Sequence, residues 1–451
     1  MPSESLEAAI QRAGGPIAYL RNSPMRPHTF PVAPEFTNWR SEQRAWRETC
    51  ALLDQSHHMT DLYVWGPDAL ALLRDFGVNS FENFGPGRAK QYVAVNLQGH
   101  FIGDCVLFHL EEGLFDMVGH PMVLNWIAYN LEAGGYDASI ERDDNSFDRA
   151  AGPPKSFRFE LQGPTAQPIM EKLTGGPLPE VKFFHMADFT IAGYAVRALR
   201  HGMAGQPGFE LFGPWNEGDA VREAILGAGG EFGLTRVGAK AYSTANLESG
   251  WVPSPLPAIF GDDMHAYREW LPATEMGSLA GSLDSTEIAD YYLTPYDLGY
   301  GRTVAFDHDF HGREALQAIA GHPRREKVTL VWNAEDVAAA IGSLYEPGIP
   351  AKYIEMPKAR YGLHQADEVS LAGERIGISM DVGYIANEHL MISLASIDRA
   401  VADVGREVVV SWGEEPNTTK PPVEEHRQVA IRATIAPCPY QAFARGAYRN
   451  A

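Results

Sequence analysis

Five β-rich runs close the chain: KVTLVWN, RIGISMDVGYI, LMISLASI, EVVVSW and VAIRATIAPCPY, starting near residue 326. Upstream, between residues 60 and 235, strand-like and helix-like segments alternate instead. One uniform architecture therefore cannot serve the whole chain. The tail reads as a small all-β sandwich or barrel, because short apolar runs are separated by Gly, Pro, Asn and charged turns. HPRREK at 322–327 reads as the solvated linker before it.

The upstream alternation occurs twice. MTDLYVWG is a strand, PDALALLRDFG a helix, KQYVAVNLQGHFIGDCVLFHL a hairpin turning at Gln98–Gly99, LFDMVGH a strand and PMVLNWIAYNLEAGG a helix. After residues 152–154 come strand FRFELQG, helix PTAQPIMEKLTGG, a hairpin around Ala192–Gly193, strand FELFGP and helix NEGDAVREAILGAGGEFG. Ahead of both, SLEAAIQRAG is a helix stopped by Gly14–Gly15. SEQRAWRETCALLD is another, N-capped by Ser41. The expected organisation is α+β: related halves near 55–150 and 150–260 within residues 1–325, then a β domain over 326–451.

Charge narrows the partners. The net charge is −21, from 58 acids against 37 basic residues, which argues against nucleic acid. No signal-peptide pattern or bilayer-length apolar stretch is read, so no membrane is expected. Cys50, Cys105 and Cys438 lie far apart without a CxxC pair, which fits a cytoplasmic setting and no cysteine-built metal site.

LDQSHHMTDLY at 53–63 sets His57 beside His58 where a helix hands over to a strand. Adjacent side chains diverge on either element, and no HExxH or cysteine cluster accompanies them, so a shared metal is not expected. A packed imidazole and a reacting one both remain open on these residues. In GMAGQPGFELFGP at 202–214, alternation puts Glu210 on the face opposite Phe209 and Leu211. Buried, that carboxylate needs good donors; exposed, it is an ordinary strand acid.

Taken in order, DQSHHM, GHFIGD, LQGP, GMAGQPGFELFGP, NLESGW, DFHGREAL and ISMDVGYIANEHLMISLASI resemble the blocks of the glycine-cleavage T-protein (aminomethyltransferase) family. The resemblance spans roughly residues 35 to 440. AYLRNSP, LDQSHHM, AKQYV, LRHGMAG, SGWVPSPLPAI and AYREWLPA are closer to its tetrahydrofolate-dependent aryl O-demethylases.

The resemblance implies a three-domain cloverleaf: two α+β domains interleaved in sequence plus a C-terminal β-barrel. It implies methyl transfer from a methoxylated aromatic acid to N5 of tetrahydrofolate, with no metal and no lipoyl carrier protein. Glu210 would anchor the pterin, with Asp104, Gln162, Phe209 and Trp251 as further cofactor contacts. Tyr242 and His58, assisted by Gln55, would serve the leaving oxygen, and Asp104 would act near the folate nitrogens. Gly103 stands where the family has the first acid of its pair. His120 replaces the arginine that binds carboxylate in vanillate-type enzymes, and Phe30 replaces an aromatic hydroxyl. Both departures point to a less polar substrate pocket, such as one for a chlorinated methoxybenzoate of the dicamba kind. The competing readings are a vanillate or syringate demethylase, a glycine-cleavage aminomethyltransferase and a sulfonium demethylase. A folate-binding protein of iron–sulfur assembly is opposed by FHGREAL, which lacks that branch's cysteine.

Overall fold

The computed structural model describes residues 3–25, 29–414, 418 and 420–450, and three sheets organise it. The first is antiparallel, in the order Arg88–Val95, Phe101–Glu111, Leu114–Gly119, Thr60–Trp65, Ser139–Asp143. The second runs Leu234–Val237, Cys50–Asp54, Ser156–Gln162, Gly208–Pro214, Tyr194–Arg200, Met186–Ile191. Its first pair is parallel, and the rest are antiparallel. The third closes on itself: Glu374–Ile385, Asp367–Leu371, Glu407–Trp412, Val429–Ala436, Arg325–Trp332, Leu390–Asp398, then back to Glu374–Ile385. The β-rich tail is thus a six-stranded barrel, which leaves no open edge in that cycle.

Interleaving is physical. Cys50–Asp54 precedes the first sheet in sequence but pairs inside the second. Conversely, the core behind the first sheet takes Leu6 and Leu20 from the start of the chain and Val252, Ile259, Tyr267 and Leu316 from much later. Ala192–Gly193 and Ala372–Gly373 each turn a hairpin with both residues at positive φ, 54° with 85° and 53° with 86°. That backbone matches the twist of the strands it joins, and the alanine in each carries a modest strain.

Three expectations need correction. The helix is Trp39–Glu48 with Asn38 as its N-cap, accepting from the Ser41 N–H at 3.0 Å, so Ser41 lies inside the first turn. Cys50–Asp54 (CALLD) is a strand rather than the helix's end. An apolar run buried on both faces reads alike as helix or strand, and periodicity cannot separate them. HPRREK is not a free linker, because strand pairing begins at Arg325 opposite Asp398. The alternation expectation also missed a helix at Ala334–Gly342, capped by Asn333.

Candidate active site

Strand Ser156–Gln162 shows how the site is built. Phe157, Phe159 and Leu161 point into the core beneath helices Ala166–Thr174 and Gly218–Gly229, with Phe209 and Leu211 from the neighbouring strand. Arg158, Glu160 and Gln162 take the other face, and all three are buried. Glu210 lies directly opposite Glu160 in the antiparallel register, on that same face.

This polar floor meets acids from the first sheet. Arg158 donates through Nη1 to Glu210 at 2.8 Å and through Nη2 to Asp61 and Asp116, each at 3.0 Å. Its guanidinium also lies over the rings of Phe108 and Phe212, at 5.2 and 5.0 Å. Burial disfavours its charge, yet Asp61, Glu210 and Asp116 outweigh that and hold it protonated. Burial pushes Asp116 well above the usual carboxylate range and Asp61 in the same direction, with Arg158 opposing in both. Glu160 is raised by burial as well, despite donors from the Met203 N–H at 2.9 Å, Gln55 at 2.7 Å and Gln162. Among the described residues, His201 Nδ1 is buried without a hydrogen-bond partner and stands 3.8 Å from both Glu160 and Glu210.

Above the floor sits a histidine–tyrosine pair. His58 Nε2 is hydrogen-bonded to the Tyr242 hydroxyl, and their rings are 4.8 Å apart edge to face. Phe30 presents an edge to His58 at 5.9 Å. Burial, then the neighbouring His57 and Arg158, push the His58 imidazole down to about 3, so it is neutral at physiological pH. We therefore assign Nε2 as acceptor and the phenol as donor. Burial followed by the charges of Glu160 and Glu210 holds Tyr242 well above its ordinary range, so its proton stays on. Met203 Sδ lies 3.6 Å from that hydroxyl and 3.3 Å from Gln55 Nε2. The paired histidines lie in the turn between strands Cys50–Asp54 and Thr60–Trp65 and diverge there: His57 turns away to Ser146 Oγ at 2.8 Å and to the Trp215 ring.

The loop after strand Tyr194–Arg200 is held by this floor. Ala204 donates its N–H to Gln162 Oε1 at 2.5 Å, and a Cβ at Gly208 would run into the Leu161 carbonyl. Only glycine lets the chain re-enter the sheet there.

A second group gathers around Asp104. Its Oδ2 accepts from Gln91 at 2.7 Å, Trp251 Nε1 at 2.8 Å and the Tyr300 hydroxyl. Burial still raises Asp104, and these donors oppose it. His120 caps helix Pro121–Gly134 and borders a small recess with Asp104 and His364. Among the described residues, no cluster of His, Cys, Asp and Glu could hold a metal ion, and no helix is long and apolar enough to cross a membrane.

Of the expected site residues, Phe30, Gln55, His58 and Tyr242 come together, over a floor carrying Gln162 and Glu210. Asp104 and Trp251 form the second group, which His120 borders. Phe209 is 3% exposed within the core, with the Arg200 guanidinium 4.9 Å above its ring. Sequence reasoning missed Arg158, Glu160, His201, Met203, Gln91 and Tyr300. FRFELQ carried the signal for the first two, since its polar residues recur at every second position.

Residues 12–263 match the GCVT N-terminal domain family. The chain is 45% identical to syringate O-demethylase of Sphingobium sp., over 99% of this chain and 98% of that protein. It is 31% identical to sesamin methylene transferase of Sinomonas sp., over 90% and 89% of the respective lengths. Glycine cleavage system aminomethyltransferase T of Bartonella henselae superposes with a TM-score of 0.59, at 18% identity and 90% coverage of each chain, a likeness of fold.

Proposed function

The chain belongs to the GCVT N-terminal domain family, and on that premise we propose that it is a tetrahydrofolate-dependent O-demethylase of methoxylated aromatic acids. The products are a phenol and 5-methyltetrahydrofolate. The observation that carries this reading is the neutral His58 joined to a protonated Tyr242 beside a ring edge, Phe30. Full-length similarity to an enzyme named for demethylating syringate, itself a methoxylated benzoate, supports the substrate class.

An aryl methyl ether resists cleavage because a phenolate must leave. A hydroxyl that is still protonated at neutral pH can turn its hydrogen from His58 Nε2 to the ether oxygen. Such general-acid help is worth about 10²–10⁴-fold. His58 has no charge to repel or neutralise, so its part is to orient the hydroxyl and take the hydrogen bond back. Gln55 is fixed by Glu160 and by the Met203 sulfur, and it lines the same side.

The floor fits a pterin edge, which offers neighbouring N–H donors. Glu160 and Glu210 supply acceptors side by side, and Glu210 shares the single Arg158 guanidinium with Asp61 and Asp116. Glu210 would hold that edge, and Asp104 and Trp251 would contribute from the second group. When bound, tetrahydrofolate supplies N5 as the methyl acceptor.

The deciding experiment is anaerobic incubation with tetrahydrofolate and a panel of methoxybenzoates, syringate and chlorinated acids included, reading 5-methyltetrahydrofolate by mass. Methylated folate is expected with at least one acid. Folate binding without methylation by any acid would overturn the reading.

A further inference from the structure

A cleft of about 480 Å³ opens on the other side of strand Cys50–Asp54 from the His58–Tyr242 pair. Leu52 lines it, whereas its neighbour Leu53 packs on the Tyr242 side. The size is that of a small-molecule site. Its walls combine aromatic faces with cations: Phe36 and Trp215 on one hand, Arg222 and Arg236 on the other, with His57 and Val32 between. Arg222 is engaged by Asp219 at 2.8 Å. Arg236 lies 3.9 Å over the Phe36 ring and has no ion-pair partner among the described residues. The nearby Asp54 already accepts from the Ser56 N–H at 3.1 Å.

We propose that this cleft is a second binding site, distinct from the reacting one, that takes an aromatic carboxylate. The ring would lie among Trp215, Phe36 and the apolar floor, and the carboxylate would meet the guanidinium that lacks an acid. Planar fork donors suit that anion.

The wall is continuous with the reacting site. The segment that forms it starts one residue after Phe30. It is fastened to the helix bearing Tyr242 through Ala239 N–H to Ala33 at 2.9 Å and Lys240 N–H to Pro34 at 3.1 Å. Glu42 holds the segment from the other end, accepting from Phe36 and Thr37 at 2.7 Å and from Gly238 at 2.9 Å. His57, on the wall, is bonded in sequence to His58. A bound acid therefore stabilises the arrangement of Phe30, His58 and Tyr242, and by linkage it shifts the apparent affinity for substrate.

The test is calorimetric titration of the full chain with benzoate, then with benzamide as the uncharged probe. Two benzoate sites are expected. The Arg222→Ala/Arg236→Ala double variant should weaken one of them on the order of tenfold or more and leave the other unchanged. Asn216→Trp, which adds bulk at the exposed rim, should remove the same site without touching either arginine. Benzamide should bind there at least about tenfold more weakly than benzoate. A single benzoate site indifferent to both variants, no binding at all, or equal affinity for benzamide would each overturn the proposal. Because no turnover is read, failure here is separable from failure of the demethylase reading.

Discussion

Two buried acid groups face the interior of this protein, and they are solved in opposite ways. Asp104 is one carboxylate met by three neutral donors from Gln91, Trp251 and Tyr300. On the floor of the second sheet Glu210 meets Asp61 and Asp116 across one shared guanidinium, beside Glu160 with its own donors from Met203, Gln55 and Gln162. In the first group three donors converge on a single oxygen, Oδ2. In the other, three carboxylates share one cation, with His201 standing off at 3.8 Å from Glu160 and Glu210. A buried carboxylate is costly unless donors reach it, so a surplus of acceptors marks where a donor-bearing ligand belongs.

The contrast predicts very different responses from two tyrosines. Tyr242→Phe is expected to lower kcat by about 10²–10⁴-fold with little change in ligand affinity; single-turnover and binding measurements would separate the two, and an unchanged rate removes Tyr242 as proton donor. Arg158→Met should cost about 3–5 kcal/mol in denaturant unfolding, because it strands several acids at once. A loss under ~1 kcal/mol would mean the floor needs no cation, and the contrast would fail. Glu210→Ala should weaken tetrahydrofolate about 100-fold, the loss of charge-assisted bonds worth roughly 1.5–3 kcal/mol each; unchanged affinity by titration removes it as anchor. Tyr300→Phe deletes one of three donors to Asp104 and should cost about 1.5–3 kcal/mol in denaturant unfolding, with the other two donors remaining.

The remaining effect concerns pH. The folded His58 sits at about 3, below its ordinary 6.5, so between those values the unfolded chain binds the extra proton. Its stability contribution is complete above 6.5 and is lost as pH falls towards 3. Melting temperature should therefore decline on acidification through that window, less steeply in His58→Gln. No activity transition from His58 is expected between pH 6 and 8, whatever the floor does.

Much of this was legible in the sequence. Alternation placed Glu210 against Phe209, and the β-rich tail announced a closed or layered sheet. The Gln98–Gly99 and Ala192–Gly193 turns were readable from their residues. What sequence could not supply was juxtaposition. His58 and Tyr242 are 184 residues apart, and Trp251 and Asp104 are 147 apart. Arg158 drew no reading from sequence, because the acids that pair with it stand on strands of the other sheet. Local signals also misled where two elements abut: Ser41 and Asn38 are both good caps, and Cys50–Leu53 is an unbroken apolar run. The acids of the first sheet gave no local sign of sharing Arg158, since Asp61 and Asp116 sit on strands that read as ordinary half-buried ones.

The early strand Cys50–Asp54 also sets a schedule for synthesis. Its partners, Ser156–Gln162 and Leu234–Val237, leave the ribosome about a hundred and nearly two hundred residues later. At about 5–20 residues per second, this apolar strand waits roughly 5–20 s for its first neighbour. Throughout that interval it is an unpaired edge open to chaperones or to another nascent chain. The histidine pair sits just beyond it, so the reacting group is assembled late, and a chain released before residue 162 has no place to put it.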